Sequence, residues 1–281
     1  MTKLGLIQTN TGLSPERNAA DLAEAAERLA AEGAEIIFTP EMSGLLDRNT
    51  KRLIAAASTE ADDPSLNALA AVARRHGIPV AVGSLAIRDA DASPEGRLAN
   101  RSFLIAADGH IAARYDKMHL FDVDLPNGDR YRESASFLSG QQVQLADLGW
   151  GRLGLTICYD VRFPQLHNAL ALAGAQVIAQ PAAFTVPTGE AHWHILLRAR
   201  AIETGAFIVA AAQTGQHEDG RETYGHSLVI SPWGRVLLDM GTEPGIATVD
   251  IDLGEVADAR ARIPNLVHAR PLGEAQVADA R

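Results

Sequence analysis

The feature that most restricts the fold is a repeat. Lys3-Leu-Gly-Leu6 returns as Arg152-Leu-Gly-Leu155, and Gly33-Ala-Glu-Ile-Ile-Phe-Thr-Pro40 returns in outline as Gly174-Ala-Gln-Val-Ile-Ala-Gln-Pro181. In the first copy an apolar strand over Lys3 to Gln8, a helix and a second strand at Ile36 to Phe38 make a βαβ unit, whose strands run parallel. Both halves then continue as helix, strand and hairpin. The expected class is α/β: a four-layer αββα sandwich of two packed mixed sheets with helices outside, one domain rather than two independent ones.

The intervening patterns are regular. Ser14-Pro15-Glu16 reads as a helix start with a capping serine and proline in the first turn. Ala19, Leu22, Ala23, Ala26, Leu29 and Ala30 form one apolar face, and Gly33 stops the helix. Leu66, Leu69, Ala70 and Ala73 repeat the pattern up to Gly77, ahead of a strand at Val80 to Ile87. A polar loop is expected over 89–97. Ser102 to Ala107 and Ile111 to Tyr115 flank Asp108-Gly109, a hairpin signal that delivers Asp116-Lys117-Met118-His119 to a strand end. Phe121 to Gly140 has no period and reads as an ordered excursion over a site. Further on, a strand at Val177 to Gln180, a helix from Glu190 to Glu203 and a strand at Phe207 to Ala212 are expected. Tyr224 to Ile230 and Arg235 to Asp239 read as a hairpin, followed by a strand at Ile246 to Ile251. Residues 1–263 form the domain, and Pro264 and Pro271 leave 264–281 as an extended C-terminal arm.

Composition narrows the function classes. The 281 residues, 47% hydrophobic and 21% charged, suit a globular protein with a sizeable core. No apolar run approaches the length that spans a bilayer, and the first residues lack the sections of a secretory signal, so a cytoplasmic protein is expected. A formal charge of -10 and a pI near 5.3 offer no basic footprint for nucleic acid or an anionic membrane. A small-molecule substrate is expected instead.

The single cysteine, Cys158, excludes an intramolecular disulfide and a cysteine-based zinc site. It closes the apolar run Leu153 to Ile157 and precedes polar Tyr159, Asp160 and Arg162. Phe163-Pro164 then opens a helical pattern at Leu166, Leu170 and Ala173, so the thiol sits on a strand-to-helix turn, where ligands of open α/β sheets bind. An unplaced cysteine is usually a small buried hydrophobe; a position at a strand end beside charges favours reactivity. Attack of a thiol on an amide needs a base, a cation for the oxyanion and an acid for the leaving ammonia. Glu41 and Lys117 follow strands and open on the same rim. A buried carboxylate beside them holds the lysine charged and accepts the thiol proton, and the ammonium favours the thiolate. Glu133 is a candidate second carboxylate, orienting the lysine or the attacking water.

Pro40-Glu41, Lys117-Met-His-Leu120 and Cys158-Tyr-Asp-Val-Arg-Phe-Pro164 occur in the order found in the nitrilase superfamily of carbon-nitrogen hydrolases, which the chain resembles over nearly its whole length. The resemblance implies a four-layer sandwich paired into a homodimer, needing no cofactor and no metal. It implies that Glu41 is the general base and acid, that Lys117 stabilises the tetrahedral intermediate and that Cys158 forms a thioester. Glu133 matches a second glutamate of the family. Ala191-His-Trp193, Leu197-Arg-Ala-Arg-Ala-Ile-Glu203, Ala210-Ala-Ala-Gln213 and Tyr224-Gly-His-Ser227 look most similar to the deaminated glutathione amidase branch. Gln165 departs from the glutamate common after Phe-Pro, outside the catalytic residues. The implied activity is hydrolysis of a small acidic amide, with Tyr159 and Arg162 as candidate substrate contacts.

Other readings are an ω-amidase acting on α-ketoglutaramate, another amidase, carbamoylase or nitrilase of the superfamily and, from another class, a catalytically idle binding protein of the same fold. His192 and His194, two apart on a helix, do not share a face and make no metal pair. The glycine-rich turns of nucleotide enzymes and the serine elbow of hydrolases are absent from the sequence.

Overall fold

The structure is a computed structural model describing residues 1–89, 96–125, 128–275 and 277–278. Most of the polar loop expected at 89–97 lies outside the described residues.

The first half runs β1 (Thr2–Gln8), α1 (Pro15–Ala31), β2 (Ile36–Phe38), α2 (Thr50–Ala56), α3 (Pro64–His76), β3 (Val80–Ile87), β4 (Leu98–Ile105) and β5 (Ile111–Asp116). Ser14 caps α1, accepting from the N–H of Arg17 at 3.3 Å, and Gly77 ends α3 in the left-handed region at φ 67°. The short α2 was not signalled, because a seven-residue helix with one buried side chain, Leu53, has too little periodicity to read.

The excursion after β5 holds a ribbon of β6 (Asp122–Asp124) and β7 (Arg130–Arg132), a 3-10 turn at Glu133–Ala135 and β8 (Phe137–Leu138), which pairs with β4. The second half runs β9 (Leu145–Asp147), β10 (Arg152–Leu155), α4 (Pro164–Leu172), β11 (Val177–Ala179), α5 (Val186–Thr204) and β12 (Phe207–Ala210). It continues through β13 (Thr214–Gln216), β14 (Glu222–Tyr224), β15 (Leu228–Ile230) and β16 (Val236–Asp239) to β17 (Gly245–Ile251), α6 (Gly254–Arg262) and α7 (Asn265–His268). Helix α5 begins four residues before the expected Glu190, with Pro187 in its first turn. Tyr224 belongs to β14, which pairs with β13 rather than extending β15. Residues 265–268 of the expected extended arm form the single turn of α7.

Two sheets carry the repeat. One has the order β17-β1-β2-β3-β4-β5, the other β16-β15-β12-β11-β10-β9. In both, three parallel strands (β1, β2, β3 and β10, β11, β12) are flanked by one antiparallel strand on one side and two on the other. The flanking strand of the second sheet, β9, directly precedes its repeat. Its counterpart in the first sheet, β17, arrives from the far end of the chain and pairs along all of β1, from Thr2 with Ile251 to Gln8 with Gly245.

Alternation along the strands sorts side chains between layers. Leu4, Leu6, Ile36 and Phe38 enter the cluster shared with Leu153, Leu155, Val177 and Ile208 of the second sheet, whereas Ile7 and Ile37 join Leu22, Leu29, Leu66 and Leu69 of α1 and α3. On the other side Trp193, Leu197 and Ala201 of α5 complete the core. The fold is thus four layers, helices, sheet, sheet and helices.

Candidate active site

Three strand ends bring the candidate residues together. Glu41 follows β2, where Thr39 N–H donates to Ala81 O at 3.1 Å and Ser84 N–H donates to Pro40 O at 3.2 Å. This close lie requires Gly83, since a Cβ there would stand 2.1 Å from the Thr39 carbonyl oxygen. Lys117 follows β5 and is pinned on both sides: its N–H donates to Asn100 O at 3.0 Å, and its carbonyl accepts from Gly140 at 2.9 Å.

Cys158 opens a 3-10 turn after β10 with φ at 48°, a conformation unfavourable for a residue with a side chain. Several bonds hold it there. Cys158 N–H donates to Pro181 O at 2.7 Å, and Gln180 Nε2 donates to Cys158 O at 3.1 Å. Asp160, fully buried, accepts from Ile157 N–H at 2.9 Å, Tyr115 Oη at 2.7 Å and His119 N–H at 3.2 Å, with His119 Nδ1 at 2.6 Å.

The side chains converge at the floor of a cavity of about 340 Å³. Lys117 Nζ lies 2.8 Å from Glu41 Oε1 and 3.0 and 2.9 Å from the two oxygens of Glu133. Asn100 Nδ2 donates to Glu41 Oε1 and to Glu133 Oε1, both at 3.0 Å. Glu41 Oε2 accepts from the Ala183 N–H at 2.8 Å, and the Cys158 thiol lies within hydrogen-bonding reach of the same carboxylate. Glu133 is fixed by the Phe121 N–H at 2.7 Å. An ammonium has three donors, and these three contacts match them, two falling on the one carboxylate of Glu133, so a substrate oxygen has only to replace one of the paired Glu133 contacts.

Burial pushes the Glu41 carboxyl up, yet the Lys117 charge and hydrogen bonds from Lys117, Cys158 and Asn100 outweigh it and hold the group below its ordinary value. Burial pulls the Lys117 ammonium down, but Glu133, Glu41 and Cys158 raise it well above its usual range. For Cys158, burial and then the Glu41 charge push the thiol well up, and Lys117 only partly opposes them. The Lys117 ammonium does favour the thiolate, as expected, but burial and the Glu41 charge outweigh it. Two carboxylates surround one cation, so the thiol keeps its proton beside a carboxylate ready to receive it.

Tyr159 lines the cavity; Arg162 does not. The Arg162 guanidinium lies over the rings of Tyr159 and Phe184, 5.9 and 5.5 Å from their centroids, with Nη2 3.3 Å from His192 Nδ1. It backs two wall residues rather than facing the cavity. Gln165 is exposed at the start of α4. The wall cations are instead Arg48, Arg130, Arg132 and Arg221. Asn100, Asp160 and Gln180 were not singled out by sequence reasoning. Asp160 and Gln180 stand inside quoted motifs, whereas Asn100 has no local signal.

A thiol, a carboxylate beside it and a lysine ammonium paired to that carboxylate, at a cavity between the two sheets, are the groups a cysteine-dependent hydrolase needs. The chain belongs to the carbon-nitrogen hydrolase family, which it matches over residues 3–261, and its reaction is hydrolysis of amide carbon-nitrogen bonds. It is 40% identical over 240 residues to the deaminated glutathione amidase of Synechocystis sp., covering 84% of this chain and 86% of that protein. The crystal structure of the Caenorhabditis elegans NitFhit protein superposes with a TM-score of 0.88 at 36% identity, covering 96% of this chain and 65% of that longer one. An amidase from Nesterenkonia sp. AN1, in a structure showing Michael addition of acrylamide at its active site cysteine, superposes with a TM-score of 0.75 at 30% identity, covering 94% of this chain and 98% of that one.

Proposed function

We propose that the protein is a deaminated glutathione amidase in which Cys158 attacks the amide carbon of a small acidic amide. The observation that carries this reading is the convergence of Glu41, Lys117 and Cys158, backed by Glu133, under a cavity walled by four arginines.

Glu41 takes the thiol proton as sulfur bonds to the carbonyl carbon, and Lys117 meets the oxygen that becomes negative. Collapse breaks the C–N bond, and Glu41 passes its proton to the nitrogen, which leaves as ammonia. Water then attacks the thioester with Glu41 again as base, and the returning proton accompanies sulfur as the C–S bond breaks and the acid departs. Glu133 and Asn100 keep Lys117 and Glu41 in register through the cycle. Tyr159 packs against the substrate, with Arg162 behind it. Arg48, whose guanidinium makes no ion pair among the described residues, is the free cation for a substrate carboxylate.

Ammonia release from deaminated glutathione and from α-ketoglutaramate, by wild type and Cys158→Ala in parallel, tests the reading. Release from the first substrate, abolished in the variant, is expected; release only from the second would replace it with an ω-amidase.

The protein acts in the cytoplasm as a homodimer. Support for pairing comes from exposed apolar side chains around α5: Ile195 and Ile202 on that helix, Leu172 at the end of α4, Trp233 in the turn after β15 and Val267 on α7. Ile202→Arg should shift the mass measured by light scattering from two chains to one; an unchanged mass would move the interface elsewhere.

A further inference from the structure

Among the described residues one group of metal-ligating side chains lies outside the active cavity. His194 comes from α5, His226 from the loop ahead of β15 and Asp239 from the end of β16. Their ligand atoms all lie within 4.8 Å of one another. His194 Nε2 is 3.0 Å from Asp239 Oδ2, and His226 Nδ1 is 2.9 Å from Asp239 Oδ1. Ligands at about 2.0 to 2.2 Å from a tetrahedral metal stand roughly 3.3 to 3.6 Å apart, so shifts of a few tenths of an ångström away from the carboxylate, with the imidazoles closing on each other, let all three groups share one ion.

The surroundings fix this arrangement. His226 is held at φ 52°, in the left-handed region, with its N–H donating to Gly241 O at 2.7 Å and its carbonyl accepting from Trp193 Nε1 at 2.9 Å. Gly241 N–H donates to Asp239 Oδ1 at 3.0 Å, orienting the carboxylate. Tyr224 stacks on the His226 ring at 4.4 Å and meets His194 edge-on at 6.2 Å. A strained backbone and a packed second shell around two imidazoles and a carboxylate are features of ligand positioning. The amide-hydrolysing steps use none of these groups. His192, which turns instead to Arg162, is a natural control.

We propose that His194, His226 and Asp239 form a binding site for a divalent transition metal of the zinc class. Two nitrogens and one carboxylate suit zinc, nickel or copper and are too nitrogen-rich for calcium or magnesium. The three residues are only partly covered, which leaves a path for the ion and room for water as a further ligand. The metal clamps a wall of the cavity. Thr223 beside Tyr224 lines the cavity, as do Thr185 and Thr188, and Gly189 of α5 is pressed so closely on Tyr224 that a Cβ there would lie 2.2 Å from the ring.

The test is titration of chelator-treated protein with zinc chloride by calorimetry, in a Cys158→Ala background that removes the thiol as a rival ligand. One zinc per chain is expected, with a rise in Tm. Affinity should fall about tenfold or more in His194→Ala, His226→Ala and the isosteric Asp239→Asn, and stay unchanged in His192→Ala. Cobalt substitution supplies an independent reading, a visible absorption band that disappears in the same three variants. Stoichiometric zinc bound equally well by Asp239→Asn and His226→Ala, or no zinc bound by the parent protein, would overturn the site and leave a histidine-carboxylate hydrogen-bonded bridge.

Discussion

Tyr115 Oη donates to Asp160 Oδ2 at 2.7 Å, and both side chains are buried. Tyr115 lies on β5, two residues before Lys117, and Asp160 lies two residues after Cys158, so this bond couples the lysine strand of one sheet to the cysteine turn of the other. Asp160 also receives Ile157 and His119, which makes it the joint of the site.

Removing the tyrosine hydroxyl frees one lone pair of a buried carboxylate, a loss of about 1.5 to 3 kcal/mol for a bond to a charged group. Tyr115→Phe should lower stability by that amount in urea unfolding and cut kcat about tenfold with KM little changed. A variant with full kcat would show that the turn is held without this bond.

The pH profile follows from the shifted groups. Glu41 lies below its ordinary value, so it stays ionised, and competent as a base, until the pH falls below the usual glutamate value of about 4.3. Cys158 lies well above the usual thiol value of about 8.5, so no thiolate forms as pH rises through that point. kcat/KM should therefore be flat through neutrality, and alkylation by iodoacetamide should show no inflection near 8.5. An inflection there would mean that Lys117, not Glu41, governs the thiol.

Among the described residues the Arg48 guanidinium makes no ion pair, whereas Arg221 is tied to Asp219 at 2.8 Å and Arg132 to Asp124 at 2.8 Å. Arg48→Ala should raise KM for an acidic amide about tenfold while leaving kcat and turnover of a neutral amide nearly constant. Equal losses for both substrates would place the carboxylates on another residue.

His167 is buried against Phe163 O and Gln180 Oε1, and burial lowers its pKa from 6.5 to about 4. Between these values the unfolded chain binds a proton that the folded one refuses, so stability falls with acid, by up to about 3 kcal/mol from this group. Below pH 4 its contribution levels off, and protonation of Glu41 continues the loss. Urea midpoints measured from pH 7 to 4 should fall less steeply for His167→Gln than for wild type; parallel slopes would assign the acid loss to other groups.

Much of this molecule is legible along the chain. The repeat of Lys3-Leu-Gly-Leu6 at Arg152, the helical stripes ending at Gly33 and Gly77 and the hairpin at Asp108-Gly109 are local patterns, and each appears where its periodicity indicates. Glu41, Lys117 and Cys158 are readable for the same reason, since each follows a strand signal. Asn100 is not: nothing nearby marks a strand residue that faces two carboxylates from distant segments. The fate of Arg162 was equally hidden, because its ring partners Tyr159 and Phe184 come together only in the folded chain.

By itself the sequence determined the main strands and helices of each repeat and the candidate residues for amide hydrolysis, because these depend on neighbours within a few positions. Only the tertiary structure decided that β17 crosses the whole chain to complete the first sheet, and that the thiol rests protonated. Both depend on which distant groups meet: strand edges need a partner from anywhere in the chain, and the Cys158 proton answers to a glutamate 117 positions earlier, buried beside it where charge acts strongly.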